Sequence, residues 1–219
     1  MTRVLIIGAT GYVGSAVASE LLRSGNFTVY GLARSQQKAK DLATKEIIPV
    51  LGSVDDSAAY LSLIKSTNIH IVVDCAGAND GSAKILTDLL EVGAERLQKD
   101  GAKLSFVYCS GIWVHGSSYE RISDLDPVGT DGVEEEPPRL VEWRPPLERQ
   151  ILASRDVLDV AIVRPAEIYG RESGLFNPFF GSIFEAAKAG QGSVKLPLNP
   201  QSRPAFIHVE YVSCLLHLQ

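Results

Sequence analysis

The feature that most constrains this chain lies at its start. The apolar run Val4-Leu5-Ile6-Ile7 is stopped by Gly8, and two more glycines, Gly11 and Gly14, follow within six residues. An unbroken β-branched and aliphatic run, with no polar alternation, is how a strand buried on both faces reads. From Tyr12 the period changes: Val13, Val17 and Leu21 recur every four residues, Ala16 and Leu22 widen the stripe, and Gly25 stands just beyond Ser24 as a stop. The segment is strand, glycine turn, helix, and its strand demands cover on both faces.

The same alternation continues. Strands are expected over 27–33, 47–51, 69–74 and 104–109, with helices over 36–43, 56–65 and 83–98 between them. Strands separated by helices need right-handed crossovers and build a parallel sheet. The expected fold class is α/β: a Rossmann-like doubly wound parallel sheet. After Ser110 the pattern fails for about thirty residues, a length of irregular chain that is usually functional or mobile. A helix restarts near Pro145-Pro146, carrying Leu147, Ile151 and Leu152 inward, because proline is tolerated in a first turn. A buried strand over 160–163 is closed by Arg164-Pro165, and the tail holds a helix over 178–189 and the short run Ala205-Phe206-Ile207.

Composition narrows the function classes. With 219 residues, 45% of them hydrophobic, the chain can bury a core without staples. The net charge is −5, and Asp124, Asp126, Asp131, Glu134, Glu135 and Glu136 crowd one stretch, which argues against a nucleic-acid groove and against an anionic substrate. Cys75, Cys109 and Cys214 each lie in an apolar run, as buried free thiols of a reducing compartment do; no disulfide frame or metal site is expected. No run approaches a membrane span of about 20 residues, and the N-terminal run is too short for a signal-peptide core. A cytoplasmic protein without membrane contact is expected.

A G-x-x-G-x-x-G spacing between a strand and a helix has a mechanism. In Gly8-Ala9-Thr10-Gly11-Tyr12-Val13-Gly14, Gly8 and Gly11 let the backbone approach a pyrophosphate and Gly14 lets helix pack on strand, while the helix N-terminus offers unpaired N–H groups. The second strand ends Ala33-Arg34-Ser35, about 20 residues past the last glycine, where an acid would bind the ribose 2′-OH of NAD. Arg34 instead suits the 2′-phosphate of NADP, with Ser35 and Lys38 as helpers, so NADP is expected over NAD.

Further motifs spread over most of the chain: Val72-Val73-Asp74-Cys75-Ala76-Gly77, Val107-Tyr108-Cys109-Ser110, Arg164-Pro165-Ala166-Glu167-Ile168-Tyr169-Gly170 and Ile207-His208-Val209-Glu210-Tyr211-Val212. With the glycine turn, these resemble the short-chain dehydrogenase/reductase superfamily, of the extended or atypical kind related to NAD-dependent epimerases and dehydratases. The resemblance implies that Cys75, Ala76 and Gly77 lie along the cofactor's ribose and pyrophosphate, that Pro165 and Ile168 border the nicotinamide, and that Ser110 stands for the catalytic serine. Gly52-Ser53-Val54 resembles the turn beside the adenine, with Ser53 in place of the usual acid.

The family's Tyr and Lys, four residues apart on one helix face, have no counterpart. None of the seven tyrosines is followed four residues later by Lys, and where the pair belongs the chain has Trp143 and Leu147. Indole cannot give up a proton near neutral pH. Tyr119 and His115, in the irregular loop, are the substitute acids. Glu148 is expected in a helix-surface ion pair with Arg144 or Arg149, with substrate binding as its alternative use.

These observations lead to an NADP(H)-binding oxidoreductase- or epimerase-like protein acting on a small carbonyl or hydroxyl substrate. The alternative is a non-catalytic NADP(H)-binding regulator. Residues 1–169 are expected to form the cofactor domain and 170–219 part of a substrate lobe, since extended members continue well past Glu210 and this chain stops nine residues after it. The resemblance also allows a homodimer through the helices near 83–98 and 145–154.

Overall fold

Strand β1 (Thr2–Ile7) sends Leu5 and Ile7 into one apolar cluster and Val4 and Ile6 into another, so its sheet carries a core on each face. The computed structural model describes residues 1–77, 79–118, 120–126, 128, 136–171, 173–174, 177–195, 199, 201 and 203–215, with the backbone alone for 177–180 and 213–215.

After β1 come α1 (Tyr12–Arg23), β2 (Phe27–Ala33), α2 (Gln36–Ala43), β3 (Ile48–Leu51), α3 (Ala58–Ser66), β4 (Ile71–Asp74), α4 (Asn79–Leu97) and β5 (Leu104–Cys109). Then follow α5 (Arg144–Ala153), β6 (Leu158–Val163), β7 (Glu167–Tyr169), α6 (Asn177–Lys188), β8 (Phe206–His208) and α7 (Val209–Leu215). Six strands make one parallel sheet in the order β3-β2-β1-β4-β5-β6. The chain winds outward from β1 to β3, then returns to pair β4 on the other side of β1, which creates a switch point between β1 and β4. Register places Ile7 beside Asp74 and Cys109 beside Val163, so the strand ends line up along one carboxyl edge.

On one face α1 and α2 bring Val17, Leu21 and Leu42 onto Val4, Ile6 and Val29. On the other, α3, α4 and α5 bring Tyr60, Ile64, Leu89, Leu147 and Ile151 onto Leu5, Val72 and Phe106. The two-core, doubly wound expectation holds.

Beyond β6 the tail forms a separate two-stranded parallel ladder, β7 with β8, and α7 packs against α1. The irregular stretch after β5 contains two short 3-10 turns, Ile112–His115 and Arg139–Val141.

Candidate functional site

The glycine turn lies at the switch point. Gly8 has φ +88°, and a Cβ there would stand 2.8 Å from the Cys75 carbonyl, so the loops after β1 and β4 touch. The Cys75 N–H donates to the Ile7 carbonyl at 2.9 Å, and the Gly11 N–H to the Gly8 carbonyl at 2.9 Å. A Cβ on Gly14 would stand 2.2 Å from the Gly8 oxygen; only hydrogen fits where α1 crosses the turn. No described side chain caps α1, which leaves its first N–H groups and its positive dipole end facing the crevice. A cradle that a single methyl would fill, beneath an uncapped helix N-terminus, fits a pyrophosphate.

Of the other residues expected at a cofactor, Thr10 is exposed beside the turn, and Val13 is half-buried against the α1 core. Tyr12 donates its hydroxyl to the Gly170 carbonyl at 2.6 Å, tying α1 to the chain after β7. Arg34 is exposed at the carboxyl end of β2 and has no hydrogen bond or ion pair with any described residue. The Ser35 hydroxyl caps α2 by accepting from the Lys38 N–H at 3.3 Å. Ser53 accepts from the Asp56 N–H at 3.1 Å, and Val54 packs on the core. Ala76 and Gly77 are exposed at the carboxyl end of β4.

A cavity of about 570 Å³ opens along the same edge. Tyr12, Gly77, Ser110, Pro165 and Ile168 line it together with Trp113, Trp143, Arg144 and Glu167. Ser110 is buried: its N–H donates to the Val163 carbonyl at 2.8 Å, and its hydroxyl has no partner among the described residues. His115 is not among the lining residues. It is buried with Nε2 3.4 Å from Arg164 Nη1, and burial first, then the Arg164 charge, lower its pKa. Tyr119 lies outside the described residues.

Glu148 departs from its expected surface pairing. Its side chain is 2% exposed, and Oε2 accepts two bonds from Arg164, at 2.7 and 3.0 Å, joining α5 to the end of β6. Leu147, at the place of the family's Lys, faces the core.

Glu167, Trp113 and Arg144 are among the lining residues not singled out as site residues in the sequence. Glu167 lies within a quoted motif; burial raises its carboxyl pKa, and the neighbouring Trp113 opposes that shift. Trp113 follows Ser110 by three positions. Arg144 stacks over the Trp143 ring at 5.3 Å, and its Nε is buried without a partner among the described residues. The signal for Arg144 and Glu148 was present: 144, 147, 148 and 151 follow the i, i+3, i+4, i+7 spacing of one inward stripe.

Beneath the cavity Asp74 is fully buried. Its Oδ1 accepts from the Ala76 N–H at 2.9 Å, and Oδ2 has no partner among the described residues. Burial raises its pKa against the opposing pull of Ser82, the Ala76 amide and Arg144. Cys75 and Cys109 are free thiols. Among the described residues no helix is long and apolar enough to cross a membrane.

Residues 4–110 match the NAD dependent epimerase/dehydratase family. A sterol-4-alpha-carboxylate 3-dehydrogenase (decarboxylating) from Dictyostelium discoideum is 26% identical over 133 residues, 61% of this chain; the match spans 37% of that relative's own length. Among solved structures, dTDP-glucose 4,6-dehydratase from Bacillus anthracis, in complex with NAD, superposes on all of this chain and 71% of its own, with TM-score 0.77 and 17% identity. Yeast methylglyoxal/isovaleraldehyde reductase, complexed with NADPH, superposes on all of this chain and 72% of its own, with TM-score 0.64 and 17% identity. The match to the NAD dependent epimerase/dehydratase family thus spans residues 4–110, just under half of the chain, and the likeness to these solved structures extends their fold over its whole length.

Proposed function

We propose that the chain binds NADP(H) across the carboxyl edge of its sheet and acts as an oxidoreductase or epimerase on a small carbonyl or hydroxyl compound held in the cavity beside Ser110. The observation that carries this reading is the Gly8–Gly14 contact, at 2.2 Å for a methyl, under an uncapped α1 whose crevice continues into the cavity. The relatives named above include a dehydrogenase, a dehydratase and a reductase, bound in two cases to NAD or NADPH.

In this reading the α1 N–H groups hold the pyrophosphate and the Arg34 guanidinium takes the 2′-phosphate in the bidentate manner that arginine favours. The cofactor, when bound, supplies or accepts hydride. The Ser110 hydroxyl, buried and unpaired, donates to the substrate oxygen. The Glu167 carboxyl, pushed toward its neutral form by burial, holds the proton for that oxygen, taking the place of the absent tyrosine.

Titration calorimetry tests the cofactor assignment. Arg34→Ala is expected to weaken NADP(H) by about 10- to 100-fold, since it removes charge-assisted phosphate bonds, and to change NAD(H) binding little. Equal losses for both cofactors refute it. A second reading, a cofactor-binding regulator without turnover, is favoured by Trp143 and core-facing Leu147 at the places of the catalytic pair. Turnover of any member of a carbonyl panel with NADPH, lost in Ser110→Ala, eliminates that reading.

A further inference from the structure

Arg144 is the one arginine or lysine among the described lining residues of the cavity, and it makes no ion pair with Glu167, the described acid that lines it too. It makes no ion pair or hydrogen bond with any described residue, its Nε is buried without a partner, and its guanidinium is held between the Trp143 ring, at 5.3 Å, and the backbone of Gly111. A second orphan stands beside that backbone: Ser110, the residue before Gly111, is 5% exposed and lines the same cavity, and its buried hydroxyl has no partner among the described residues. Buried donors in folded proteins are satisfied by protein, water or ligand. Here a planar five-donor fork and a hydroxyl converge on a space walled by two indoles.

We propose that Arg144 is the substrate-anchoring residue of this cavity and that the substrate it selects carries a carboxylate, bound by the guanidinium with the reacting oxygen on Ser110. The inference rests on the cavity being the substrate side of the proposed cofactor site. A guanidinium matches a carboxylate in a two-bond geometry that lysine cannot reproduce. The local charge favours this occupant. Burial pushes up the carboxyl of Glu167, the described acid that lines the cavity, and that of Asp74, the buried acid on which the Arg144 charge acts without a bond between them, while Glu148 already serves Arg164 at 2.7 Å. The acidic run of the sequence, which argues for an uncharged substrate, is no part of the described lining.

The chain provides its own reporter, because its two tryptophans, Trp113 and Trp143, both line the cavity. The full chain is titrated with 2-oxobutanoate and phenylpyruvate and with the primary amide of each, following tryptophan fluorescence, and NADP(H) binding is measured separately by calorimetry. The acids are expected to bind about 10- to 100-fold more tightly than the amides. Arg144→Gln should abolish that preference, and Arg144→Lys should restore part of it. Gly111→Ala, whose methyl would stand 2.7 Å from Arg144 Nη1, should weaken it by displacing the guanidinium.

Equal binding of acid and amide overturns the proposal, as does the absence of saturable change with either acid. So does an Arg144→Gln protein that keeps the acid preference and loses NADP(H) affinity. The two titrations separate the claims. A wild type that binds NADP(H) without preferring acids overturns the anchor alone, whereas an Arg144-dependent preference in a chain that binds no NADP(H) upholds the anchor and sinks the cofactor reading.

Discussion

At Gly14 a single hydrogen decides whether α1 can lie on the turn that follows β1. Adding a methyl there drives a carbon to 2.2 Å from the Gly8 oxygen and 2.7 Å from its carbonyl carbon, both backbone atoms that no rotamer change can move. Gly14→Ala is therefore expected to cost about 3 kcal/mol by overpacking and to reduce NADP(H) affinity more than tenfold; denaturant unfolding and calorimetry check the two effects. Wild-type affinity in this variant contradicts the cradle. Asp74 gives a prediction of opposite sign. Burial raises its folded pKa above the ordinary value of about 4, so its stabilising contribution is full below that value and is lost as pH rises through the folded pKa. Asp74→Asn escapes this loss and should melt above wild type at pH 8, with the gap closing as pH falls toward 4. A gap that widens on acidification shows the carboxylate to be favourable where it lies. The glycines were legible from spacing alone because their role is local. Asp74 was not, because its environment is assembled from β4, α4 and α5, which the sequence does not juxtapose.

Among elements, α5 does the most to shape the site. Its inward stripe mixes Leu147 and Ile151 with Glu148 and Arg144, so one helix face seals the core and brings two charges to the carboxyl edge. Glu148 and Arg164 bind α5 to β6 across 16 residues of sequence. Removing one partner leaves the other buried and uncompensated, so Glu148→Leu and Arg164→Met are each expected to cost about 3 kcal/mol, whereas the double variant carrying both should regain most of it. A double-mutant cycle by urea unfolding measures this; additive losses refute a coupled pair. The sequence suggested a surface pairing for Glu148 because the local rule, a partner at i−4, was satisfied by Arg144, and only the β5–β6 register reveals the stronger partner. The long alternating elements were readable, and the bounds of β2, α2 and β5 agree with the periodicity to the residue. β7 and β8, at three residues each, contain too little chain for a period to develop, and their pairing joins positions 39 apart.

Across the whole molecule one sheet divides two apolar cores, and the proposed cofactor edge touches the loops after β1, β2 and β4, each rooted in strands that both cores bury. The strand order was implicit in the alternation of elements, because right-handed crossovers leave few ways to cover both faces of β1. The cavity was not, since its walls come from the ends of β5 and β6, the 3-10 turns and α5. This arrangement makes cofactor binding a property of the entire folded sheet. A ligand that binds only the folded chain at 100 times its Kd stabilises it by about 2.7 kcal/mol. For a chain of this size each kcal/mol is worth roughly 2–4 °C, so NADPH at that excess should raise the Tm by about 8 °C. NADH at the same concentration should raise it less, and Arg34→Ala should erase the difference between the two. Differential scanning calorimetry reads all three. Because both cores share β1, β2, β4, β5 and β6, the sheet should melt in a single transition that moves as a unit; equal shifts with NADH and NADPH, or a sheet that melts in two steps of which one ignores the cofactor, contradict this coupling.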